Sequence, residues 1–448
     1  MWRERLRRWL VPSRQAGHLS PGLYHFVRSM DGRYLRYHLR VETSGQALLV
    51  AAASEAARLS PAGAVAARGL LEGRSARELA GELSAHGAGD AVRDVQQLLA
   101  HLGQPSVRYP IFNLADPALD RPTGLLAPFQ ADLVVGLSPL SPLIFERLWQ
   151  AGIFHVRLIL DPSSHVTDLV ETVERAEDLG IITGLRARAG QLAEEGRVER
   201  LAAAGLDYVV LPWGVTVERH DRLYGAGDHP CFQACLERIA DREMTVVAQA
   251  PLMPDVLPHL ESGLDGLLER GVDHVELLAI ARRDEDGGHG SPAHGERAVL
   301  SAALSAAAAE GDESRPFGAR RLRQLAAWIE DLACARRMQL IWLPPVECAA
   351  GQSAEAAARG GPRAGGDVTI RVEPDGEVIP PRGPYTSAGN LLVDDWSQIW
   401  SHSALDRYRR LVETNTHCHE CPGLAICAAE CPAEPRGWAW AAASARAS

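Results

Sequence analysis

The sequence predicts an α/β protein built around a partial (β/α)6 barrel, with a winged-helix-like domain before it and a small metal-binding cysteine module after it. Strand and helix patterns alternate at ~25–35 residues per unit through the middle of the chain, which is typical of parallel β/α units. Before them, short strand patterns are followed by three short helix patterns. Four of the eight cysteines lie within 14 residues near the C-terminus, which indicates a metal site.

Composition and charge narrow the class of protein further. The 448 residues include 46 Lys and Arg against 57 Asp and Glu, and the resulting formal charge of −11 argues against a general nucleic-acid binder. No apolar run approaches the ~18 residues that a membrane-spanning helix needs. Residues 1–22 form a basic segment without the continuous apolar core of a secretory signal. We therefore expect a soluble, cytoplasmic protein.

Residues 23–105 carry the patterns of a small independent domain. Two strand patterns lie at Tyr34–Val41 and Gln46–Val50. Ser60 followed by Pro61 supplies an N-cap and a proline at the first helical position, so a helix begins here and ends at Gly73. Short strands followed by short helices predict a winged-helix-like domain.

Two further helices complete this domain. Ser75 and Glu78 form the capping-box pattern of a second helix, which continues to about Leu83. Apolar residues repeat on one face of a third helix over Asp90–Leu102. The segment 106–130, rich in Pro and Asp, then reads as a linker.

Residues 131–345 contain the predicted barrel. Six apolar strand candidates lie at Asp132–Leu137, Phe154–Leu160, Ile181–Leu185, Asp207–Trp213, Met244–Ala250 and His274–Ala279. Helix patterns lie at Leu143–Ala151, Val166–Leu179, Gln191–Ala204, Pro230–Ala240 and Val256–Arg270. A further helix over Ala319–Arg337 and a strand over Gln339–Leu343 end the domain.

The strongest chemical signal lies in residues 346–448, where Cys418, Cys421, Cys427 and Cys431 form the spacing C-x2-C-x5-C-x3-C. Thiolates are soft ligands, and four of them this close suit one metal centre. Zinc and an iron–sulfur cluster both accept four thiolates, so ligand type leaves the metal open. Four unligated cysteines are the other interpretation of the same spacing.

This C-x2-C-x5-C-x3-C spacing resembles the core of the SPASM module that follows the barrel of radical SAM enzymes. The preceding sequence supports the resemblance, because Val372–Val378 is similar to the family's hairpin. Ala388–Leu392 and Trp396–Trp400 are similar to the segment after that hairpin. The resemblance implies a radical-SAM-like barrel over residues 131–345, which the stretch Glu218–Gly225 also resembles.

The N-terminal domain resembles the PqqD-like recognition element that captures the leader of a precursor peptide. Leu59–Ala64 and Asp94–Leu99 carry this resemblance. It implies that residues 23–105 recognise a peptide, whose extended chain would pair with the N-terminal strands.

The sequence departs from the radical SAM pattern where the family binds SAM. The family places C-x3-C-x2-C after its first strand, whereas this chain has Leu137–Pro142 there and no cysteine before Cys231. The family's glycine-rich GGEP motif after the second strand corresponds to Asp161 and Pro162. Both halves of the cofactor site are therefore missing, which predicts a degenerate member for which SAM binding is doubtful.

The SPASM-like module is also reduced. Where the family has further upstream cysteines, this sequence has Arg363 and the stretch 379–381, and no cysteine follows Cys431. The four cysteines of the motif would then hold one centre together, a 4Fe–4S cluster or zinc, with Cys348 as an exchanging ligand. Cys231 and Cys235 stand one helical turn apart, and we expect them to be small buried side chains.

The resemblance implies a peptide- or partner-binding component of a ribosomal-peptide or cofactor maturation pathway, without an assigned catalytic residue. The first alternative is an active peptide-modifying oxidoreductase of the radical SAM/SPASM type that uses an iron–sulfur cluster. The second is a zinc-stabilised scaffold protein. The cysteine-free loop favours the degenerate, binding function over the first alternative.

Overall fold

A computed structural model describes residues 18–30, 33–51, 53, 55–85, 87–102, 125–136, 140–160, 169–240, 244–282, 317–347, 369–379 and 386–406. The chain forms two compact units. The first contains the described residues up to 102 together with 125–127 and 148–154, and the second contains the rest.

The first unit begins with a four-stranded antiparallel sheet in the order β1-β2-β3-β4. Its strands are β1 (Gly22–Met30), β2 (Arg33–Val41), β3 (Ala47–Ala51) and β4 (Glu55–Leu59). The sequence predicts β2 and β3 but not the two outer strands. In this order β1 and β4 are the edge strands, each hydrogen-bonded to one neighbour among the described residues.

Three helices pack on one face of this sheet, and all three are confirmed. They are α1 (Pro61–Leu71), α2 (Ala76–Ser84) and α3 (Asp90–Leu102). The Ser60 side chain accepts a hydrogen bond from the Gly63 amide, and Ser75 accepts one from Glu78. Gly73 has φ +88°, the left-handed conformation that ends a helix without strain.

Apolar side chains of the sheet and helices form one core in the first unit. The fully buried residues include Leu39, Leu49, Ala64, Ala66 and Leu79. The small side chains of α1 allow close packing, since Leu79 lies within 2.5 Å of the position that a Cβ on Gly69 would take. This packing fixes the helices against the sheet.

The second unit is dominated by a parallel sheet. Its strands are β5 (Gln130–Val135), β6 (His155–Leu160), β7 (Ile182–Arg186), β8 (Tyr208–Pro212), β9 (Thr245–Leu252), β10 (His274–Arg282), β11 (Phe317–Gly318), β12 (Gln339–Glu347), β13 (Thr369–Val372), β14 (Glu377–Ile379) and β15 (Gly389–Asn390). Its helices are α4 (Pro142–Ala151, whose last four residues are assigned to the first unit), α5 (Leu169–Leu179), α6 (Arg197–Ala203), α7 (Val217–Tyr224), α8 (Asp228–Ala240), α9 (Leu257–Leu268), α10 (Ala319–Ala335) and α11 (Trp396–Ser401). Each of the six predicted strands is found, and so are four of the five helix patterns between them.

The parallel strands follow one another in sheet order. The path runs β11-β10-β9-β8-β7-β6-β5-β13-β14-β15, and β12 pairs with β10. Strands β5 to β10 and β12 are parallel, as alternating β/α units require. At the other side β13 pairs in parallel with β5, and the β13–β14–β15 meander extends the sheet. The hairpin expected over Val372–Val378 is confirmed, since these two residues pair across it.

Two sequence predictions need correction in this unit. The helix predicted over Gln191–Ala204 is instead a short 3₁₀ turn (Ala189–Leu192) followed by α6. The break occurs at Gly196, which has φ +74° and therefore cannot continue a right-handed helix. Strand β12 also continues four residues beyond the predicted end at Leu343.

Several predicted features lie outside the described residues. These are residues 1–17 of the basic segment, residues 106–124 of the linker, Asp161 and Pro162, Cys348 and the four clustered cysteines. Among the described residues, none of the helices is both long enough and apolar enough to cross a membrane. The domain boundaries and the winged-helix comparison remain predictions.

Candidate functional site

Polar side chains interrupt the apolar strands of the parallel sheet and meet on its inner face. Asp132, Arg157, Gln249 and Glu276 lie on β5, β6, β9 and β10, and each is at most 4 % exposed. Side chains alternate between the two faces of a strand, so these residues share the inner face because each occupies an inward-facing position of its strand. We call this set the inner network.

Arg157 is the centre of the inner network. Its Nε and Nη2 atoms donate to the two carboxylate oxygens of Asp132, at 3.1 and 3.0 Å. Its Nη1 atom donates to Glu276 Oε1 at 3.1 Å. One guanidinium therefore pairs with two buried carboxylates, and these two charges raise the pKa of Arg157 despite its burial.

The contact between Arg157 and Glu276 shows how strongly the sheet curves. Their strands β6 and β10 are separated by β7, β8 and β9. In a flat sheet four strand spacings of ~4.8 Å place them roughly 19 Å apart, too far for the two side chains to meet. The 3.1 Å contact therefore requires a sheet that curls around a common interior, as in a barrel.

The inner network continues along the strands in both directions. Gln249 Nε2 donates to Glu276 Oε2 at 2.7 Å, and Gln249 Oε1 accepts from Arg186 Nε, also at 2.7 Å. Gln130 Nε2 donates to Asp132 Oδ1 at 2.7 Å. Hydrogen bonds thus connect five of the parallel strands through the interior.

Beside Arg157 a histidine and a tyrosine fill the interior. His155 Nε2 and the Tyr208 hydroxyl are 2.7 Å apart, and both residues are at most 1 % exposed. Burial, together with the Arg157 cation, lowers the pKa of His155 to about 3, so its ring is neutral. The Tyr208 ring occupies the space above Gly184, where a Cβ would lie 1.8 Å from the ring.

The stretch that resembles the family helix contains a second buried polar cluster. The Gly214 amide donates to His220 Nδ1 at 3.2 Å, so the ring proton is on Nε2 and faces Asp228 Oδ2 at 3.0 Å. Asp228 also accepts from the Gly190 amide at 2.9 Å. Both ring nitrogens of His220 are therefore used in joining α7 and α8 to neighbouring loops, which is a structural role.

The loops after β8 and β9 are joined by an ion pair. Arg219 Nε contacts Asp255 Oδ2 at 3.1 Å, and the more exposed Arg222 contacts the same oxygen at 3.3 Å. Val215, directly before α7, has φ +72°, an uncommon value for a β-branched residue. These contacts join the segment after β8 to the turn after β9.

The loop between β5 and α4 is where the family resemblance implies a cluster that binds SAM. The loop has six residues, Gly136–Ser141, of which Gly136, Leu140 and Ser141 are described. Its sequence contains no thiol, and it is too short for three cysteines in the C-x3-C-x2-C spacing. The residues present therefore do not fit an iron–sulfur cluster at this place.

The cysteines that the structure describes do not form a metal site. Cys235 is 1 % exposed, its Sγ lies 3.7 Å from the Ala189 carbonyl oxygen, and burial raises its pKa to about 11. Cys231 is only partly buried and Cys334 is exposed, and none of the three is in a disulfide. Within the described ranges, no three His, Cys, Asp or Glu side chains are arranged to hold a metal ion. Cys418, Cys421, Cys427 and Cys431 all lie in residues 407–448, outside those ranges.

Sequence reasoning did not single out the inner network. A usable signal was present, because Asp132, Arg157 and Glu276 each interrupt an otherwise apolar strand. A charged residue in a strand that is buried on both faces needs a charged partner nearby. Three such interruptions on separate strands could have been paired with one another.

Comparison with known proteins supports the fold and extends no further. No protein-family model matches the chain, and no curated protein matches it. Among solved structures, Streptococcus suis SuiB bound to S-adenosylmethionine is similar, with a TM-score of 0.54, 14% identity, and coverage of 90% of this chain and 95% of SuiB. SuiB bound to precursor peptide SuiA gives a TM-score of 0.50 at 14% identity, with 90% and 95% coverage. At this identity the likeness concerns architecture: the chain has a mixed α/β fold with a large parallel sheet, similar to the folds of radical SAM enzymes.

Proposed function

We propose that this chain is a degenerate relative of radical SAM/SPASM proteins that binds a precursor peptide or a maturation partner and does not cleave SAM. The observation that carries the proposal is the six-residue loop between β5 and α4, which supplies no thiol. Cleavage of SAM in the family depends on an iron–sulfur cluster held by three cysteines in this loop. A fold that keeps the barrel and lacks these ligands supports binding rather than radical chemistry.

The peptide-binding part of the proposal is supported by the N-terminal sheet. Its edge strands β1 and β4 each have one strand neighbour among the described residues, so an extended peptide can add a further strand. SuiB, which shares the fold, has been crystallised with its precursor peptide SuiA. By this likeness we assign peptide recognition to residues 23–105.

The metal-binding part of the proposal concerns Cys418, Cys421, Cys427 and Cys431. Four thiolates in this spacing suit one centre, a 4Fe–4S cluster or zinc, which would stabilise the C-terminal module. We assign the centre no step in a reaction.

The decisive experiment measures SAM cleavage. The full chain is reconstituted anaerobically with iron and sulfide, incubated with SAM and a reductant, and assayed for 5′-deoxyadenosine by chromatography. We expect no product above the control without protein. Product that depends on both the protein and SAM would overturn the proposal and support an active peptide-modifying oxidoreductase.

Peptide binding is tested on the same full-length protein. Peptides encoded by neighbouring genes are titrated by calorimetry, with scrambled sequences as controls. We expect a dissociation constant near micromolar for one peptide, about −8 kcal/mol, and no binding of its scrambled form. If none of these peptides binds, and no protein encoded by a neighbouring gene binds either, the result would favour the zinc-stabilised scaffold.

A further inference from the structure

Strand β1 is an edge strand whose outer backbone groups form no hydrogen bond with a described residue. Met30 and Arg33 face each other in the β1–β2 pair with only two residues between them, so they form the hydrogen-bonded pair beside a tight hairpin turn. Hydrogen-bonded and non-hydrogen-bonded positions alternate along an antiparallel pair. The N–H and C=O groups that point away from β2 therefore belong to Leu23, His25, Val27 and Ser29. Such a row of groups is a template for one more strand.

The two edges of the N-terminal sheet differ in length. All nine residues of β1 pair with β2 in one unbroken register, whereas β4 pairs with β3 over five residues. A peptide that adds to a sheet edge gains its affinity from main-chain hydrogen bonds. The longer edge allows more of these bonds, so β1 is the edge that can hold an extended peptide more firmly.

The β1–β2 hairpin is basic, although the protein is acidic. Residues 22–41 contain four arginines and one acidic residue, whereas the whole chain has a formal charge of −11. Strand β4, in contrast, carries one glutamate and one arginine. Charged side chains on an edge deter most strands from pairing with it. An acidic strand is the exception, because opposite charges on neighbouring strands attract each other.

The two faces of β1 beside its outer edge present different side chains. On one face Arg28 donates from Nη2 to the Leu70 carbonyl oxygen, and its side chain is only partly buried. On the other face Val27 is 54 % exposed, and Tyr34 of β2 is 79 % exposed. Because Tyr34 pairs with Ser29, it is the diagonal neighbour of Val27 on this face. An added strand would place alternate side chains beside the cation and beside this apolar pair.

We propose that the precursor peptide adds to β1 rather than to β4, and that the bound segment alternates acidic with apolar side chains. The acidic side chains lie on the face of Arg28, and the apolar ones lie on the face of Val27 and Tyr34. Binding at β1 rests on the peptide-binding function proposed for residues 23–105, to which it adds the edge and the chemical class of the peptide.

The test uses the full-length protein and a defined probe, acetyl-Glu-Val-Glu-Val-Asp-Val-Glu-amide. Calorimetry compares this probe with a neutral match, in which glutamine or asparagine replaces each acidic residue, and with a basic match that carries lysine there. We expect saturable binding of the acidic probe, binding of the neutral match weaker by about fivefold or more, and no binding of the basic match.

Two variants locate the probe on β1. Val27→Pro removes an N–H that points away from β2, a position where an edge strand tolerates proline, and should weaken binding by about tenfold or more. Arg28→Gln removes the cation and should weaken binding of the acidic probe about two- to fivefold. As controls, Arg58→Gln on β4 and Arg93→Gln on α3 remove exposed arginines and should leave binding unchanged. Circular dichroism and the melting temperature verify folding, and if Val27→Pro does not fold, the comparison of Arg28→Gln with Arg58→Gln decides.

The outcomes separate the edge assignment from the proposed function. No binding of the acidic probe by the parent, equal binding by the parent and Val27→Pro, or a larger loss in Arg58→Gln than in Arg28→Gln would overturn the assignment to β1. An encoded peptide that binds the parent and Val27→Pro equally would contradict the assignment alone. Failure of the peptide-binding function is distinct from these results, because then no peptide encoded by a neighbouring gene binds the parent.

Discussion

At the scale of single residues, the interior of the parallel sheet is determined by which side chain fills which space. Gly184 on β7 lies directly across from Tyr208 on β8. The phenol ring takes the volume that a side chain at position 184 would need, and its hydroxyl lies beside His155. A glycine inside a strand weakens the strand on its own, and here the loss is offset by burial of an aromatic ring.

We therefore predict that Gly184→Ala destabilises the protein by about 2 kcal/mol or more, because a Cβ would lie 1.8 Å from the Tyr208 ring. Urea unfolding followed by circular dichroism measures the change. Gly81→Ala on the exposed face of α2 is the matched control, since a Cβ there meets no atom within 4 Å. It should be neutral or stabilise by up to ~1 kcal/mol. Equal stability of the two variants would show that Tyr208 moves aside without cost.

His155 predicts a specific loss of stability in acid. Its pKa is about 3 in the folded chain and ~6.5 in the unfolded chain, so between these values the unfolded state binds the extra proton. The stabilisation that depends on a neutral His155 ring is fully present above about pH 6.5. Below that pH, the free energy of unfolding falls by about 1.4 kcal/mol per pH unit. In His155→Gln this part of the slope should be absent, as measured by urea unfolding at pH 7, 6 and 5. His259→Gln, which changes an exposed histidine of α9, should keep the parent's slope. If His155→Gln shows the same slope as the parent, the prediction is contradicted.

At the scale of helices and strands, local signals decided what the sequence could predict. The first three helices were located to within a residue or two, by signals that need no distant partner. Ser60, Pro61 and Ser75 mark the starts of α1 and α2, and apolar residues repeat on one face of α3. Strand β4 was missed, because its Glu-Ala-Ala-Arg-Leu sequence favours a helix and becomes a strand by pairing with β3. The inner network was missed for a similar reason. Nothing local to Arg157 indicates that Glu276, more than a hundred residues later, meets it across the curved sheet.

The cap of α2 gives a prediction at this scale. Ser75→Ala removes the hydroxyl that accepts from the Glu78 amide at 3.2 Å and should cost about 1 kcal/mol. Hydrogen exchange with mass spectrometry should show peptides from residues 76–84 exchanging about fivefold faster. Ser262→Ala, inside α9 and exposed, should leave exchange of α2 unchanged. Unchanged exchange in Ser75→Ala would mean that packing, and not the cap, determines the local stability of α2.

At the scale of the whole molecule, the chain has a mixed α/β fold with a large parallel sheet, similar to the folds of radical SAM enzymes. The described residues include the parallel strands of β/α units, the hairpin over Val372–Val378 and the helix α11. The loop between β5 and α4 carries no thiol. A fold depends on many apolar positions and a reaction on a few ligands, so a chain can have this fold without thiols in that loop.

At the scale of the whole molecule we also predict that the C-terminal cysteines bind a metal. Anaerobically prepared protein should contain about four irons per chain with absorbance near ~400 nm, or about one zinc and no colour. Cys421→Ala should release the metal, whereas Cys334→Ala, which changes an exposed cysteine of α10, should retain it. Elemental analysis together with thermal unfolding measures both effects. Protein with neither metal, and a Cys421→Ala variant as stable as the parent, would contradict a metal centre.

The pairing of β13 with β5 has a consequence for the order in which the chain can fold. Thr369 lies beside Gln130 in this parallel pair, so one edge of β5 is completed by a strand about 240 residues later in the sequence. At a synthesis rate of ~5–20 residues per second, that edge waits about 12 to 48 s on the ribosome before its partner exists. During this interval β5 presents unpaired backbone groups that other nascent strands can join. Residues 369–372 are thus the element that ends this exposure, and their emergence sets the earliest time at which this edge of β5 is protected from aggregation.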